Sequence, residues 1–365
     1  MPLFIWGPWR HLPLLRAVLG RDVVAVEAIL PGYRVAGRDH PGVVPETGPG
    51  VTGLLLPEAT AEDCERLAFH GNLTAWSRRP VRLASGGAAV MAEVGTDRAD
   101  DNRIWKFADW ERRHAALAVA LAPDIMALFG ARDADEVALR RAAMEVRAAS
   151  RLRAAVDPVA ASLRREAAPD DVTVAAFAQP YARFFAVEEY DLAFRRFDGS
   201  MSAVVNRAVF ISCDAVTILP YDPVRDRVLV IEQFRAGPFA RGDRNAWSLE
   251  AVAGRIDPGE TAEAAGRREA LEEAGLKLGA LLPVAGYYPS PGGKSEFIYS
   301  YVGLADLPDT AARIGGVEDE AEDIRAHVIP FERLMDLVAT GEAGNAPLIL
   351  SALWLQRERG RLRGE

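Results

Sequence analysis

Residues 254–276 read GRIDPGETAEAAGRREALEEAGL, and no other run narrows the fold and chemistry of this chain as much. Gly254, Pro258 and Gly259 make a turn-rich entry. Thr261 is placed to cap a helix over about Ala262–Ala274, with Glu263 in the favourable first turn. Gly275 is placed to end that helix as a C′ residue. Glu269, Glu272 and Glu273 are three and four residues apart, so they cluster on one helix face. Like charges at this spacing repel. Arg268 is spaced to pair with Glu272, which leaves Glu269 and Glu273, and a hard cation such as Mg²⁺ resolves their repulsion. Taken alone, an acidic run of this kind also fits a solvated helix face.

At roughly 150 residues per domain, 365 residues point to two or three domains. The formal charge of −9 excludes a broad basic footprint for nucleic acid. Cys64 and Cys213 are the only cysteines, which excludes a disulfide framework and fits a reducing compartment. No stretch of about 18 uncharged apolar residues is present, so no transmembrane helix is expected. The opening MPLFIWGPWRHLPLLRAVLG lacks the basic region, clean apolar run and cleavage site of a leader, and it reads as strand, turn and helix. The expected location is the cytoplasm, with no membrane and no nucleic acid as partner.

Composition divides the chain into residues 1–102, 103–168 and 169–365. In the first part, short apolar runs (LFIWG, VVAVEAIL, GVTGLLL, RPVRLA) read as strands, with one helix near Ala61–Phe69 capped by Thr60. Residues 103–168, rich in Ala, Leu, Arg and Glu, read as two or three helical pieces forming a connector. Beyond 169, AVTILPYD and RVLVIEQF flank DPVRD as a hairpin. A strand in EFIYSYVGL and two closing helices, PFERLMDLVATG and NAPLILSALWLQRERGRL, follow. The pattern predicts an α+β protein with mixed sheet.

Gly254, Glu260, Arg268, Glu269, Glu272, Glu273 and Gly275 together reproduce the Nudix box at its set spacing. Residues 177–358 resemble the ADP-ribose pyrophosphatase branch of the Nudix hydrolases. That resemblance is carried by FRRFDGSMSAVVNRA (194–208), LPYDPVRDRVLVIEQFR (219–235), WSLEAVAG (247–254), SPGGKSE (290–296) and EDEAEDIR (318–325). It implies a Nudix α/β/α sandwich with a mixed sheet. It also implies Mg²⁺-dependent hydrolysis of ADP-ribose to AMP and ribose 5-phosphate, with about two or three ions and Mn²⁺ as an alternative. By the same resemblance Glu269, Glu272, Glu273, the Ala253 carbonyl and Glu322 are the metal ligands. Glu320 is the general base and works with Glu273 and Arg268. Arg235 and Arg207 contact the diphosphate and terminal ribose, Glu250 stands near the substrate, and Gly292 and Gly293 form either a plain turn or a loop closing over it. Asn206 stands where an arginine is usual. Phe184 and Phe185 are expected in a core or dimer interface, with stacking on adenine as the alternative, and the resemblance favours a homodimer with the 177–197 segment at its interface. Other readings are hydrolysis of other ADP-sugars or nucleoside diphosphate derivatives, and a non-catalytic ADP-ribose sensor.

The opening LFIWGPWRHLPLLRAVLG, with VTGLLLPEATAEDCERLAFHGN, resembles γ-glutamylcyclotransferase-like proteins. This implies a small mixed β-barrel-like domain. Pro8 removes a backbone donor where that family's loop gathers N–H groups. Phe69-His70-Gly71 lacks the family's catalytic glutamate. The domain is therefore expected to be a scaffold or binding module, with a working cyclotransferase as the rival reading. His70 is expected to be an inert surface or core histidine, with a substitute acid or base as the alternative. The whole chain resembles tellurite-resistance-associated Nudix proteins.

Overall fold

A computed structural model describes residues 2–37, 41–71, 77–93, 103–158, 160–312, 314–315 and 323–364. The chain divides into two units, Met1–Val159 and Ala160–Glu365.

The first unit is built on β1 (Leu3–Ile5), the middle strand of a five-stranded sheet. Around it lie β2 (Val26–Leu30), β5 (Val51–Leu56), β6 (Ser77–Arg82) and β7 (Ala88–Glu93), in the order β2-β5-β1-β7-β6. A ribbon of β3 (Tyr33–Ala36) and β4 (Gly42–Pro45) accompanies them. Alternation along β1 sends Leu3 and Ile5 to one face and Phe4 to the other. Leu3 and Ile5 join a core with α1 (Leu12–Leu19), α2 (Ala61–Gly71), α3 (Phe107–Met126), α4 (Ala134–Ala138) and α5 (Arg141–Val156). Phe4 packs with Leu30, Val43, Val51 and Met91. The helices of residues 107–156 thus bury their apolar side in the same core as the N-terminal strands.

The barrel-like expectation is corrected. β2 and β6 pair on one side only, so among the described residues the sheet is open. The turn after β1 runs through Gly7, in the left-handed region at φ 66°, into a 3₁₀ turn at Gly7–Arg10. A cavity of about 330 Å³ opens there, lined by Gly7, Arg10, Tyr33, Trp105 and Phe107 among others. Thr60 caps α2 reciprocally: the Asp63 N–H donates to Thr60 Oγ1 at 3.0 Å and the Thr60 N–H to Asp63 Oδ2 at 2.8 Å.

His70, near the end of α2, is buried, and among the described residues neither ring nitrogen has a partner. Burial, with the positive Arg141 nearby, pushes its pKa down from 6.5 to about 3. The unfolded chain therefore takes up a proton between pH 6.5 and 3 that the fold refuses. Stability is fully present above pH 6.5 and falls, by roughly 1.4 kcal/mol per pH unit at most, as the pH drops below it. Urea midpoints of the full chain at pH 7 and pH 5 test this: His70→Phe is expected to flatten the decline. Parallel declines for the two proteins would remove the effect from His70.

The second unit begins with a three-stranded antiparallel sheet of β8 (Val172–Ala182), β9 (Ala186–Phe194) and β10 (Val205–Ile211), in the order β10-β9-β8. An eight-stranded mixed sheet follows, with β11 (Ala215–Asp222) and β12 (Arg227–Phe234) at its centre. These two pair only at their turn, through Tyr221–Val228 and Asp222–Arg227. Asp222 Oδ1 accepts the N–H groups of Val224 and Arg225, and Asp226 takes φ 54° to close that turn. Beyond it β11 and β12 diverge. After the short helix α6 (Ala236–Arg241), β13 (Trp247–Glu250) and β14 (Val252–Arg255) enter the gap. β13 pairs with β12 and β14 with β11.

The helix α7 (Ala262–Ala274) comes next, then β15 (Leu281–Tyr287), β16 (Ile298–Leu304), β17 (Ile314–Gly315) and β18 (Ile324–Pro330). The chain closes with α8 (Phe331–Thr340) and α9 (Ala346–Arg363). β16 runs parallel to β11, and β18 antiparallel to β12. Ala270 and Ala274 of α7 pack on Leu229, Ile231 and Val252. Phe331, Leu334, Leu348 and Leu355 of α8 and α9 cover Leu219, Val228 and Val230 on the opposite face. Helices on both faces explain why residues 228–231 of β12 are continuously apolar. No helix among the described residues is long and apolar enough to cross a membrane.

Candidate active site

The strand inserted between β11 and β12 carries the site's framework. Thr261 Oγ1 accepts the Ala264 N–H at 3.1 Å and starts α7, and Gly275 at φ 62° ends it. Small residues let this helix lie close on the sheet. A β-carbon at Gly266 would collide with Ile218, and one at Gly254 would fall inside the Glu269 carboxylate. A side chain at Gly254 would therefore push the Glu269 carboxylate from its place beside the strand.

The three α7 glutamates differ sharply in exposure. The whole of Glu273 is 2% exposed, while the side chains of Glu269 and Glu272 are 13% and 40% exposed. Glu273 Oε2 accepts the Ala253 N–H at 3.2 Å. Arg268 is the hub of the loop. It donates to both oxygens of Glu260 at 3.1 and 3.0 Å, to Glu269 at 2.7 Å, to Glu272 at 3.2 Å and to the Arg255 carbonyl at 3.0 Å. The Glu260 hydrogen bonds raise its pKa above the usual arginine value, against the opposing effect of burial, and Glu269 adds to the rise. Sequence spacing suggests the Arg268–Glu272 pair. It does not suggest Glu260, eight residues upstream across a loop, as the two-pronged partner.

Arg235 and Glu250 also meet. Arg235 Nε and Nη2 donate to the two oxygens of Glu250 at 3.0 and 2.7 Å. Glu250 lies opposite Ile231, whose side chain packs against α7, so the pair sits on the α7 face of the sheet.

Arg207 is placed differently. It lies exposed on β10, in the separate three-stranded sheet, and its Nη1 donates to the Asn206 carbonyl. Asn206 in turn donates to Asp191 at 2.8 Å. Gly292 and Gly293 form a turn in which a β-carbon would meet nothing, and the Gly293 carbonyl accepts the Phe210 N–H at 2.8 Å. Phe184 and Phe185 sit at the tip of the β8–β9 hairpin. The Arg255 guanidinium lies over Phe184 at 4.5 Å, and Phe185 packs on Phe210 at 4.7 Å. One hairpin tip thus reaches both the end of β14 and β10, the strand whose Phe210 N–H donates to the Gly292–Gly293 turn. No local signal in the sequence announces this contact.

Glu320 and Glu322 lie outside the described residues. Their flank at Gly315 approaches α7 closely, since a β-carbon there would meet the Glu273 carbonyl. Among the described residues no three His, Cys, Asp or Glu side chains close on one point as a metal site. The donors present on α7 are carboxylate oxygens, the ligand type that hard divalent cations take.

Three comparisons complete the description. The NUDIX domain family matches residues 212–351. The chain is 41% identical over 196 residues to the ADP-ribose pyrophosphatase of Escherichia coli K12, covering 54% of this chain and 93% of that one. It is 33% identical over 150 residues to the GDP-mannose pyrophosphatase of Salmonella choleraesuis, covering 41% of this chain and 77% of that one. A solved structure of an ADP compounds hydrolase aligns with 53% of this chain and 98% of its own at 24% identity, with a TM-score of 0.40, too low to carry weight.

Proposed function

The chain belongs to the NUDIX family and is a Nudix hydrolase, and on that premise we propose that it hydrolyses the diphosphate of ADP-ribose to AMP and ribose 5-phosphate. The observation that carries this reading is the α7 carboxylate set, with Glu273 buried against the Ala253 amide and Glu269 held beside Gly254 by Arg268. In this reading Glu269, Glu272, Glu273, Glu322 and the Ala253 carbonyl hold Mg²⁺ or Mn²⁺. Such ions neutralise a diphosphate and lower the pKa of bound water. Arg235 holds phosphate oxygens through its planar fork, which Glu250 holds in place before substrate arrives. Arg207 and the Gly292–Gly293 turn meet the terminal ribose side. Glu320 takes the proton of the attacking water, and Arg268 holds the three α7 carboxylates in register.

A homodimer is part of the same proposal. β8 is exposed almost throughout, with Val172, Val174, Phe177 and Tyr181 each about half exposed. An apolar strand left uncovered in this way suits a second copy of the chain. For the first unit the reading is a scaffold or binding module, supported by the cavity over the Gly7 turn.

The second reading, another nucleoside diphosphate sugar, is favoured by the GDP-mannose relative and by Asn206 standing where arginine is usual. The test is incubation of the full chain with Mg²⁺ and, separately, ADP-ribose, GDP-mannose, ADP-glucose and NADH, with EDTA controls and chromatography of products. AMP and ribose 5-phosphate appearing only with metal, and fastest from ADP-ribose, are expected. Faster turnover of another sugar would install the second reading. Stabilisation by ADP-ribose without turnover of any of them would make the protein a sensor.

A further inference from the structure

One buried polar group in the second unit is unused by the site as described. Gln233 of β12 is 6% exposed, and among the described residues its Nε2 meets no acceptor. An amide donor buried without a partner forfeits its hydration for nothing in that state.

The strand register says where this donor lies. Gln233 stands opposite Ser248, and Ile231 stands opposite Glu250. Ile231 packs on α7, whereas Leu249 packs on the α8–α9 side. Because side chains alternate along a strand, Gln233 and Glu250 share the α7 face, as does Arg235 two residues on. Gln233 and Glu250 are diagonal cross-strand neighbours, a spacing of about 7–8 Å that long side chains bridge.

We propose that Gln233 is a positioning residue whose amide takes up the Glu250 carboxylate when a substrate phosphate draws Arg235 towards itself. This rests on the reading of Arg235 as a diphosphate ligand. In the structure Glu250 occupies the Nε–Nη2 edge of Arg235. A phosphate competes for the same fork, because carboxylate and phosphate match it alike. Glu250 is buried, so a weakened hold from Arg235 leaves a carboxylate out of water and short of donors. The idle amide on the same face is suited to fill that gap. Gln233 thus acts through Glu250 and does not touch the substrate, which agrees with its burial.

The test uses the full chain as Gln233→Leu, Glu250→Gln and the double variant, with KM and kcat for ADP-ribose and melting temperatures without ligand. Gln233→Leu is expected to raise KM about tenfold, the loss of one hydrogen bond to a charged group. It should leave kcat within about twofold and the ligand-free melting temperature unchanged or higher, since an unpaired donor has been removed. In the Glu250→Gln background the same change should leave KM unaltered, because no carboxylate remains to be held. An unchanged KM in Gln233→Leu overturns the inference, as does an equal rise in both backgrounds. A lower melting temperature with unchanged KM makes Gln233 merely structural. Should the wild-type chain turn over GDP-mannose and not ADP-ribose, the substrate reading fails separately, and the same comparison on GDP-mannose decides the role of Gln233. If it turns over neither, Kd from thermal-shift titration of ADP-ribose replaces KM and decides in the same way.

Discussion

Glu273→Gln is expected to lower kcat by roughly three orders of magnitude, the effect of losing several kcal/mol of metal-borne stabilisation. The substitution preserves shape, and its amide oxygen still accepts the Ala253 N–H that Glu273 accepts at 3.2 Å. What it removes is the charge of the most buried carboxylate on α7. The melting temperature should therefore move by no more than about 4 °C, the equivalent of about 1 kcal/mol in a domain of this size. Initial rates at saturating Mg²⁺ and a calorimetric scan measure the two quantities. Wild-type turnover in this variant would place the chemistry away from α7.

Arg268→Met should act on stability and activity together. The guanidinium is the shared partner of Glu260, Glu269, Glu272 and the Arg255 carbonyl. Methionine keeps the length and removes every donor. Breaking a buried pair costs about 3–5 kcal/mol. This group is 31% exposed, so about 2–3 kcal/mol is the better expectation once screening is allowed for. That corresponds to a fall of roughly 5–10 °C in melting temperature. Mg²⁺ should restore part of it, more in the variant than in the wild type, because a cation then takes over the neutralisation of Glu269 and Glu272. Arg268→Lys keeps the charge but loses the fork, and its effect should fall between the two. A variant as stable as the wild type with and without Mg²⁺ would show that this hub contributes no stability.

Local signals carry much of this fold. The bounds of α7 follow from Thr261, Gly275 and the helical period between them, and the Thr60 cap follows in the same way. The β11–β12 turn is readable because Asp222 and Asp226 supply its bends. Pairings between distant residues leave no such mark. An alternating or apolar run gives the face of a strand but not its neighbour, so the open edge of the first unit's sheet is invisible in its sequence. The spacing of the α7 glutamates places them on one face. It says nothing of the Arg235–Glu250 pair, which needs β12 and β13 aligned, nor of Arg207, which β10 carries in another sheet. The Glu260–Arg268 pair and Gln233 escape for a further reason. The partner of Glu260 lies across a loop closure, and the significance of Gln233 lies in a missing partner.

The parting of β11 and β12 around the β13–β14 strand bears on how the chain reaches its native state. Their turn can close early, since it joins residues a few positions apart. The fork cannot be filled until Trp247–Arg255 returns to it, and β11 gains its other neighbour only when Ile298 arrives beside Ala215. The β12–β13 pairing spans only residues 235–246, but pairing of β14 and of β16 with β11 closes much longer loops, so Ala253 and Gly254 should be ordered late in folding. Until then two apolar strands present unpaired inner edges, the form of an intermediate most prone to pair with another chain.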